Sequence, residues 1–191
     1  MAFVPWPTLR AHLGTRPVAA WVERAAAASF AALACVHDAE EAGERLAIVH
    51  GDLSPANVAV AEDGGAAVIL DFGLAIGRRW PRPPGGEFRG TVLYAAPEVA
   101  RTEPFDARAD LHALAASLLH VASAEAPRAE GALAAAIAQA AEVSLAGWAM
   151  RAARAAGLSA RVTTLLTQCV AFDARDRPAT AREAAALLEA G

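Results

Sequence analysis

The spacing of apolar residues predicts a chain that is mainly helical. Pro17 stands at a helix start, and Val22, Leu33 and Val36 follow on a spacing compatible with one apolar face, which predicts a long helix over residues 17 to 38. Further helices are predicted over residues 107–123, 129–142, 144–156, 160–170 and 181–190. At the start of the last one, Thr180 and Glu183 have the spacing of a capping box.

Short apolar runs between these helices predict one small β insert. Three runs, bounded by loops and by the turn signal Asp63-Gly64-Gly65, have the length of short strands. They cover residues 46–49, 58–60 and 66–70. The charged connection DAEEAGERLA before the first run is interpreted as a solvated loop. The predicted fold class is therefore mainly α with a small β insert.

Composition fits one compact domain and narrows the possible functions. A chain of 191 residues can bury a core without disulfides or metal, although much of its 55% hydrophobic content is alanine. The net charge of −4 offers no basic surface for nucleic acid or anionic lipid. Cys35 and Cys169 lie far apart on predicted helices and are expected to be buried, reduced thiols.

The sequence also predicts no membrane span in this chain. Arg24, His37, His112 and His120 interrupt the apolar segments before any reaches the roughly 18 residues that a span needs. The N-terminus does not have the form of a signal peptide. We therefore expect a cytoplasmic protein.

Three short motifs between His50 and Glu98 carry the candidate chemistry. They are HGDLSPAN, LDFGLA and GTVLYAAPE, in that order. Phosphoryl transfer needs a carboxylate to orient a hydroxyl nucleophile, two oxygen ligands for Mg²⁺ on a nucleotide, and a loop that presents the acceptor. Asp52 meets the first requirement, Asn57 and Asp71 meet the second, and the segment from Thr91 to Glu98 meets the third.

In these motifs and their order, the chain resembles the protein kinase superfamily, specifically the bacterial Ser/Thr kinases of eukaryotic type. The resemblance runs from Met1 nearly to Gly191 and covers the larger, C-terminal lobe of that fold. It implies a single kinase-like domain over residues 1–191. Within it, residues 1–7 would be the hinge, 50–57 the catalytic loop, 71–98 the activation segment and 99–191 a helical subdomain.

The resemblance implies a role for each motif residue in the active site. Asp52 would be the catalytic residue that accepts a hydrogen bond from the substrate hydroxyl, and Asn57 and Asp71 would hold Mg²⁺ and, through it, ATP. Gly73 would permit a backbone turn, and Phe72 would pack in the core. His50 is expected to be a core histidine that is hydrogen-bonded to backbone.

Four further residues match the parts of the family that support the catalytic loop. Thr91 would brace the catalytic aspartate, and Glu98, in Ala-Pro-Glu, would anchor the peptide-presenting loop. Arg177 matches the arginine that pairs with that glutamate, and Asp110 matches the aspartate that holds the backbone of the catalytic loop.

The chain departs from the family at two positions of the catalytic loop. Gly51 replaces the arginine that normally pairs with a phosphate on the activation loop, and residues 74 to 90 contain no Ser, Thr or Tyr. Both observations predict a kinase that is not switched by phosphorylation of that loop. Ser54 replaces a lysine that contacts the γ-phosphate in Ser/Thr kinases, which is expected to slow transfer.

Elements that the family places before the hinge are not found in this sequence. There is no G-x-G-x-x-G and no lysine, so the strand-loop-strand over the phosphates and its phosphate-binding lysine are missing. Two explanations stay open: Met1 is an internal methionine of a longer protein, or the chain is a genuine fragment. The isolated chain is expected to be inactive or very weak.

The expected partners follow from the same interpretation. The resemblance implies a protein substrate. An N-terminal lobe or another protein is expected to cover the hinge face at Phe3, Val4 and Trp6, together with a pocket floor near Val58 and Val60. Without that cover, we expect self-association or poor solubility.

Two other functions remain open at this point. One is a pseudokinase fragment that uses the same surface to bind a partner without catalysis. The other is a phosphotransferase of the aminoglycoside or choline type, because those enzymes share the kinase-like fold and often carry HGDLxxxN. The GTVLYAAPE motif argues for the protein kinase, since it resembles a peptide-presenting loop that small-molecule kinases lack.

Overall fold

The computed structural model describes residues 4–81, 87–129 and 131–189. Parts of the predicted hinge, activation segment and helical subdomain, as well as Phe3, lie outside these ranges. The α-helices are α1 (Ala19–His37), α2 (Pro97–Ala100), α3 (Arg108–Ser123), α4 (Leu133–Glu142), α5 (Ala146–Ala155), α6 (Ala160–Cys169) and α7 (Ala181–Glu189). The strands are β1 (Glu40–Glu41), β2 (Glu44–Arg45), β3 (Val58–Val60) and β4 (Ala67–Ile69). Short 3-10 helices lie at Leu9–His12 and Ala174–Asp176.

The predicted mainly helical fold with a small β component is confirmed. All six predicted helices are present, with bounds that differ by at most two residues except at the start of α4, which begins at Leu133 rather than at residue 129. The capping-box spacing also has a structural counterpart at α7. The Thr180 hydroxyl accepts a hydrogen bond from the Glu183 amide at 3.0 Å, and the Glu183 carboxylate accepts one from the Ala179 amide at 2.9 Å.

Helix α3 is the centre of the core. It is buried along nearly its whole length and packs against α1, α5 and α6. Alanines on α1 and α3 let these helices approach closely, and leucines such as Leu111, Leu114 and Leu119 fill the space between the layers. Helix α1 also packs against α7 and against the β3–β4 hairpin. The hairpin is therefore fixed on a rigid helical base.

Two of the three predicted strands are present, and the third is not. Strands β3 and β4 pair antiparallel, with Val58 opposite Ile69. The predicted strand over residues 46–49 is wrong, because only Val49 pairs there, in an isolated bridge with Ile76. The charged connection DAEEAGERLA, which the sequence predicts as a loop, instead contains the exposed two-stranded ribbon β1–β2. Ala42 and Gly43, both with positive φ, form its turn.

Burial corrects several predictions about single residues. Cys35 is exposed, whereas Cys169 is buried as expected, and burial raises the pKa of its thiol. Phe72 is 43% exposed rather than packed in the core. Val58 and Val60 are fully buried, so they do not form an open pocket floor.

Helix α1 is the one single helix in the described ranges that is long and apolar enough to cross a membrane. Helices α4 and α5 pass the same test only as a pair, which is bent by 94°. In the folded chain α1 buries Trp21, Phe30 and Leu33 against the rest of the core. The core helix of a folded domain has the same length and composition, and the packing of α1 fits that role.

Candidate active site

The β3–β4 hairpin brings two of the three motifs together. Asn57 precedes β3 directly and Leu70 follows β4 directly, so the register of Val58 with Ile69 places them opposite each other. The Leu70 amide donates a hydrogen bond of 2.8 Å to the Asn57 carbonyl. Asp71 is the next residue along the chain. The end of the HGDLSPAN motif and the start of the LDFG motif therefore lie side by side, directly beyond the paired ends of β3 and β4.

His50 joins the catalytic loop to the same edge. Its ring is fully buried, and its Nε2 lies 2.8 Å from the Leu70 carbonyl. Its Nδ1 accepts a hydrogen bond from the Asp52 amide at 3.3 Å. An amide can only donate and a carbonyl can only accept, so the proton is assigned to Nε2. His50 thus positions the backbone on both sides of the candidate site.

Asp110, on α3, holds the backbone of the catalytic loop. Its carboxylate accepts hydrogen bonds from the amides of His50 at 2.7 Å and Gly51 at 2.9 Å. A third bond of 2.9 Å comes from Nε2 of His37, the last residue of α1. Asp110 is 1% exposed, so its carboxylate has left water and depends on these three donors. One buried carboxylate therefore connects α1, α3 and the catalytic loop.

The carboxylate of Asp52 contacts the start of the GTVLYAAPE motif. Its Oδ1 accepts a hydrogen bond of 2.7 Å from the backbone amide of Thr91, so the threonine braces it through the main chain. Gly90 passes close to the same oxygen with φ of +110°. A Cβ at position 90 would lie 3.1 Å from that oxygen, and the backbone conformation itself favours glycine. The glycine lets the loop approach the carboxylate.

Asn57 and Asp71 offer the oxygen atoms that Mg²⁺ prefers. Asn57 Nδ2 donates a hydrogen bond of 2.8 Å to the Asp52 carbonyl, which assigns the amide orientation and leaves Oδ1 as a potential ligand. Asp71 is exposed, has φ of +59°, and accepts the Gly73 amide at 3.2 Å on Oδ1. This residue set fits a Mg²⁺ ion held by few protein oxygens and completed by phosphates and water. In the described residues, no group of three or more His, Cys, Asp or Glu forms a separate metal site.

Glu98 and Arg177 form a buried ion pair at the end of the third motif. Arg177 Nη1 lies 2.6 Å from Glu98 Oε1, and Nη2 lies 2.9 Å from Oε2, which is a bidentate arrangement. Arg177 also donates to the carbonyls of Ala171, Arg108 and Phe172. These contacts connect the loop that ends at Glu98 with α3 and with the segment before α7.

All ten sequence-predicted site residues lie in or beside the catalytic loop, the LDFG motif, or the segment from Thr91 to Glu98. Phe72 differs from its predicted place, because its ring contacts the His50 ring at a tilt of 56°, with centroids 5.0 Å apart, while it remains partly exposed. Sequence reasoning missed His37, His112 and Arg128. All three contact the site through residues more than 17 positions away in sequence, so no local pattern signals them.

His112 predicts loss of stability in acid. It is buried on α3 with Nδ1 3.2 Å from the Tyr94 carbonyl, and burial, followed by the charges of Arg177 and Arg128, lowers its pKa well below the ordinary value. Folded His112 therefore stays neutral while the unfolded residue takes up a proton below about pH 6.5. Below that pH the unfolded state binds more protons than the folded state. The free energy of unfolding therefore decreases as the pH is lowered, by up to about 1.4 kcal/mol per pH unit.

Urea unfolding between neutral pH and about pH 5 measures this effect. Burial also lowers the pKa of His120, which acts in the same direction. His112→Gln should reduce the slope of stability against pH. A slope equal to that of the unsubstituted chain would contradict the assignment to His112.

Comparisons with known proteins agree with this geometry. A family model described as the protein kinase domain matches residues 19–187. The tyrosine-protein kinase MasK of Myxococcus xanthus is 42% identical over 79 residues, which cover 41% of this chain and 12% of MasK. The DNA damage-responsive serine/threonine-protein kinase RqkA of Deinococcus radiodurans is 44% identical over 82 residues, or 42% of this chain and 12% of RqkA.

A third relative is the serine/threonine-protein kinase PknJ of Mycobacterium tuberculosis, which is 37% identical over 90 residues. The match covers 44% of this chain and 15% of PknJ. The chain therefore spans only a small part, 12% to 15%, of the length of these three relatives.

Proposed function

The chain belongs to the protein kinase family, and from that premise we propose that it is the catalytic-loop lobe of a kinase that transfers the γ-phosphate of ATP to a serine or threonine hydroxyl of a protein. The observation that carries this proposal is the bonded connection between the three motifs. Asn57 bonds to Asp52, Asp52 bonds to Thr91, and Leu70, which precedes Asp71, bonds to Asn57. One hydrogen-bonded network thus connects Asp52, the proposed Mg²⁺ ligands and the loop proposed to present the acceptor.

In this proposal each residue has a separate task. Asp52 Oδ1 is held by the Thr91 amide, and the carboxylate accepts the hydrogen bond of the substrate hydroxyl and directs its oxygen to the phosphorus. Asn57 and Asp71 would hold Mg²⁺ through their oxygen atoms. ATP, when bound through that ion, supplies the phosphoryl group. His50 and Asp110 keep the loop backbone in place, so that these side chains do not reorganise during transfer.

A protein acceptor is favoured over a small molecule by the anchoring of the third motif. The segment from Thr91 to Glu98 is bound at one end to Asp52 and at the other to the buried Arg177. A rigid loop beside the catalytic carboxylate is suited to present a peptide. Two of the three relatives reported above are named serine/threonine kinases and one is named a tyrosine kinase, and we assign Ser or Thr to this chain on that balance.

The β1–β2 ribbon supports activity without phosphorylation of the activation segment. Glu44 pairs with Arg78 at 2.7 Å, Glu41 pairs with Arg79, and the Arg78 amide donates to the Leu46 carbonyl at 2.8 Å. Each exposed pair contributes about 0–1 kcal/mol, so the ribbon acts through several weak contacts together. These contacts hold the first part of the activation segment. Related kinases commonly hold this segment by pairing a phosphate with an arginine, and Gly51 stands in the place of that arginine here.

Location and partners follow from the same proposal. We assign the protein to the cytoplasm, supported by the packing of α1 within the core. Val4 and Trp6 are half-buried in this chain, and a second lobe or another protein is the proposed cover for their face. The proposed domain remains one kinase-like unit over residues 1–191.

The second candidate is a pseudokinase, favoured by one specific feature. Ser54 is 5% exposed and takes the place of the phosphate-contacting lysine, and no lysine exists elsewhere in the chain. A chain that only binds a partner would not need that cation. The two candidates differ in whether phosphate is transferred, not in whether the lobe folds.

A transfer assay with mass spectrometry tests the proposal. We expect phosphoserine or phosphothreonine on a general protein substrate when the longest natural polypeptide that contains these residues is supplied with Mg²⁺ and ATP. The 191-residue chain alone is expected to bind Mg²⁺-ATP weakly in titration calorimetry, because it has no lysine for the phosphates. Phosphorylation of an aminoglycoside or choline instead of protein would overturn the acceptor assignment. Absence of any transfer would favour the pseudokinase.

A further inference from the structure

Four consecutive carbonyls of the loop between Thr91 and Glu98 contact two buried side chains, the charged Arg128 and the neutral His112. Arg128 Nη1 donates to Leu93 at 2.6 Å and more weakly to Val92 at 3.4 Å, and Nη2 donates to Ala95 at 3.0 Å. The remaining carbonyl, that of Tyr94, lies 3.2 Å from His112 Nδ1. These four residues, 92 to 95, are called the carbonyl loop below. Its backbone acceptors face inward along their whole length.

Arg128 is an unusual residue to find in this place. It is 4% exposed, and within the described ranges its hydrogen-bond partners are backbone carbonyls and not carboxylates. Burial lowers the pKa of its guanidinium to about 10, so it is still protonated at neutral pH. A buried cation that has only neutral partners loses its hydration without the gain of a salt bridge. An apolar side chain of the same length would avoid that cost.

The geometry explains why a guanidinium is needed. Its planar, forked donors reach carbonyls on both sides of Tyr94, whereas the ammonium of a lysine is a single centre. Tyr94 adds a further contact through its hydroxyl, 2.9 Å from His120 Nδ1. The carbonyl loop itself has only short turn bonds, from the Tyr94 amide to Thr91 and from the Ala95 amide to Val92, both at 3.2 Å. Contacts from α3 and from Arg128 must therefore determine its conformation.

We propose that Arg128 is a positioning residue that sets the conformation of the acceptor-presenting loop of this kinase, and that its charge is retained for this role rather than for stability. The proposal rests on the proposed function, because it takes the segment from Thr91 to Glu98 as the part that presents the acceptor. Arg128 acts through the backbone of the carbonyl loop and does not itself touch the reacting atoms. Its loss is expected to affect acceptor binding and to leave ATP binding unchanged.

Hydrogen exchange on the 191-residue chain tests the structural part of the proposal. Arg128→Met keeps an unbranched apolar stem and removes the guanidinium, with its charge and its donors. We expect the Tyr94 and Ala95 amides to exchange at least about 10-fold faster, because two good bonds from a charged donor are lost. Exchange in α1 and α3 should stay unchanged. Arg151→Met is the control, since Arg151 is an exposed arginine on α5 that pairs with Glu125 at 3.5 Å at the surface.

Arg128→Lys separates charge from geometry. It should recover part of the loop protection, because one ammonium cannot serve carbonyls on both sides of Tyr94. Uniformly faster exchange throughout Arg128→Met, or unchanged exchange at Tyr94 and Ala95, would overturn the proposal. If Arg128→Met does not fold, the lysine variant decides, and full protection of the loop in that variant would overturn it.

Kinetics on the active polypeptide test the functional part. Arg128→Met should raise KM for the protein acceptor by about 10-fold and leave KM for ATP within about twofold of the unsubstituted enzyme. Equal changes in both constants would overturn the positioning role. If the unsubstituted polypeptide transfers no phosphate, the proposed function fails, and the exchange result still decides whether Arg128 controls the carbonyl loop.

Discussion

Arg177→Met is expected to lower the free energy of unfolding by about 3–5 kcal/mol, because it leaves the Glu98 carboxylate buried without its partner. All the donor atoms of the guanidinium are used: two bonds go to Glu98 and three go to carbonyls. The side chain of Arg177 is completely buried. Water therefore cannot replace what the methionine removes. Urea unfolding followed by circular dichroism measures the loss.

Three further variants and one control show which part of the contact matters. Glu98→Gln removes the negative charge, and the double variant with Arg177→Met should cost less than the sum of the two single changes, since neither then leaves a lone buried charge. Arg177→Lys should remain destabilising because it cannot form the bidentate pair. Arg182→Met is the matched control: Arg182 pairs with Asp38 at 2.6 Å at the surface, so we expect a loss of about 1 kcal/mol or less.

A loss of less than about 1 kcal/mol for Arg177→Met would show that the buried pair is not a structural anchor. In that case the third motif would be held by the bond between Thr91 and Asp52 and by the contacts of Arg128 and His112 with the carbonyl loop. The assignment of the segment from Thr91 to Glu98 as a rigid presenting loop would then lose its main support.

Most helices could be predicted from sequence because their signals are local. Apolar spacing, Pro17 and the pair Thr180 and Glu183 each act within a few residues of the element that they define. The first predicted strand failed for the same reason. Residues 46–49 have the composition of a strand, but a strand needs a partner, and only Val49 finds one, at Ile76. The ribbon β1–β2 could not be predicted because glutamate, which makes up most of it, is uncommon in strands. Its pairing also depends on a turn in which Ala42 and Gly43 have positive φ.

The sequence predicts those residues of the candidate site that belong to short motifs. Asp52, Asn57 and Asp71 could be named because spacing identifies them, and the family order suggested Asp110 and Arg177 as their supports. The contacts of His37 and Arg128 could not be predicted in this way. Each depends on how α3 packs, and tertiary packing decides which distant side chain faces a given backbone group. Phe72 shows the same limit, since its exposure depends on what surrounds it rather than on its own hydrophobicity.

Asp110 shows how the helical base and the chemistry are connected. Its carboxylate receives two amides of the catalytic loop and the ring of His37, so α1, α3 and the loop meet at one buried charge. The carbonyl loop is likewise held from α3 and from Arg128. The acceptor side and the carboxylate side of the candidate site are thus both positioned by the same central helix. We expect substitutions that destabilise α3 also to disturb the positions of the site residues.

Asp52→Asn is expected to reduce phosphotransfer by about 100- to 10,000-fold in the active polypeptide while it leaves the fold intact. Asparagine keeps an oxygen that can accept the bond from the Thr91 amide, which Asp52 Oδ1 accepts at 2.7 Å. It loses the negative charge that holds and directs the substrate hydroxyl. Turnover measured at saturating ATP, together with thermal unfolding, separates these two effects.

Asp71→Asn should act differently, because Asp71 is proposed to bind the metal rather than the hydroxyl. We expect weaker Mg²⁺-ATP binding and a rise in the Mg²⁺ concentration needed for half-maximal rate. Asp63→Asn is a closely matched control: Asp63 accepts the Gly65 amide at 2.8 Å as Asp71 accepts the Gly73 amide, but it lies in the turn of the hairpin away from the site. It should leave both rate and nucleotide binding unchanged. Equal losses at positions 63 and 71 would show that turn geometry, and not metal binding, accounts for the effect of Asp71→Asn, and an Asp52→Asn enzyme with full turnover would remove Asp52 from the proposed mechanism.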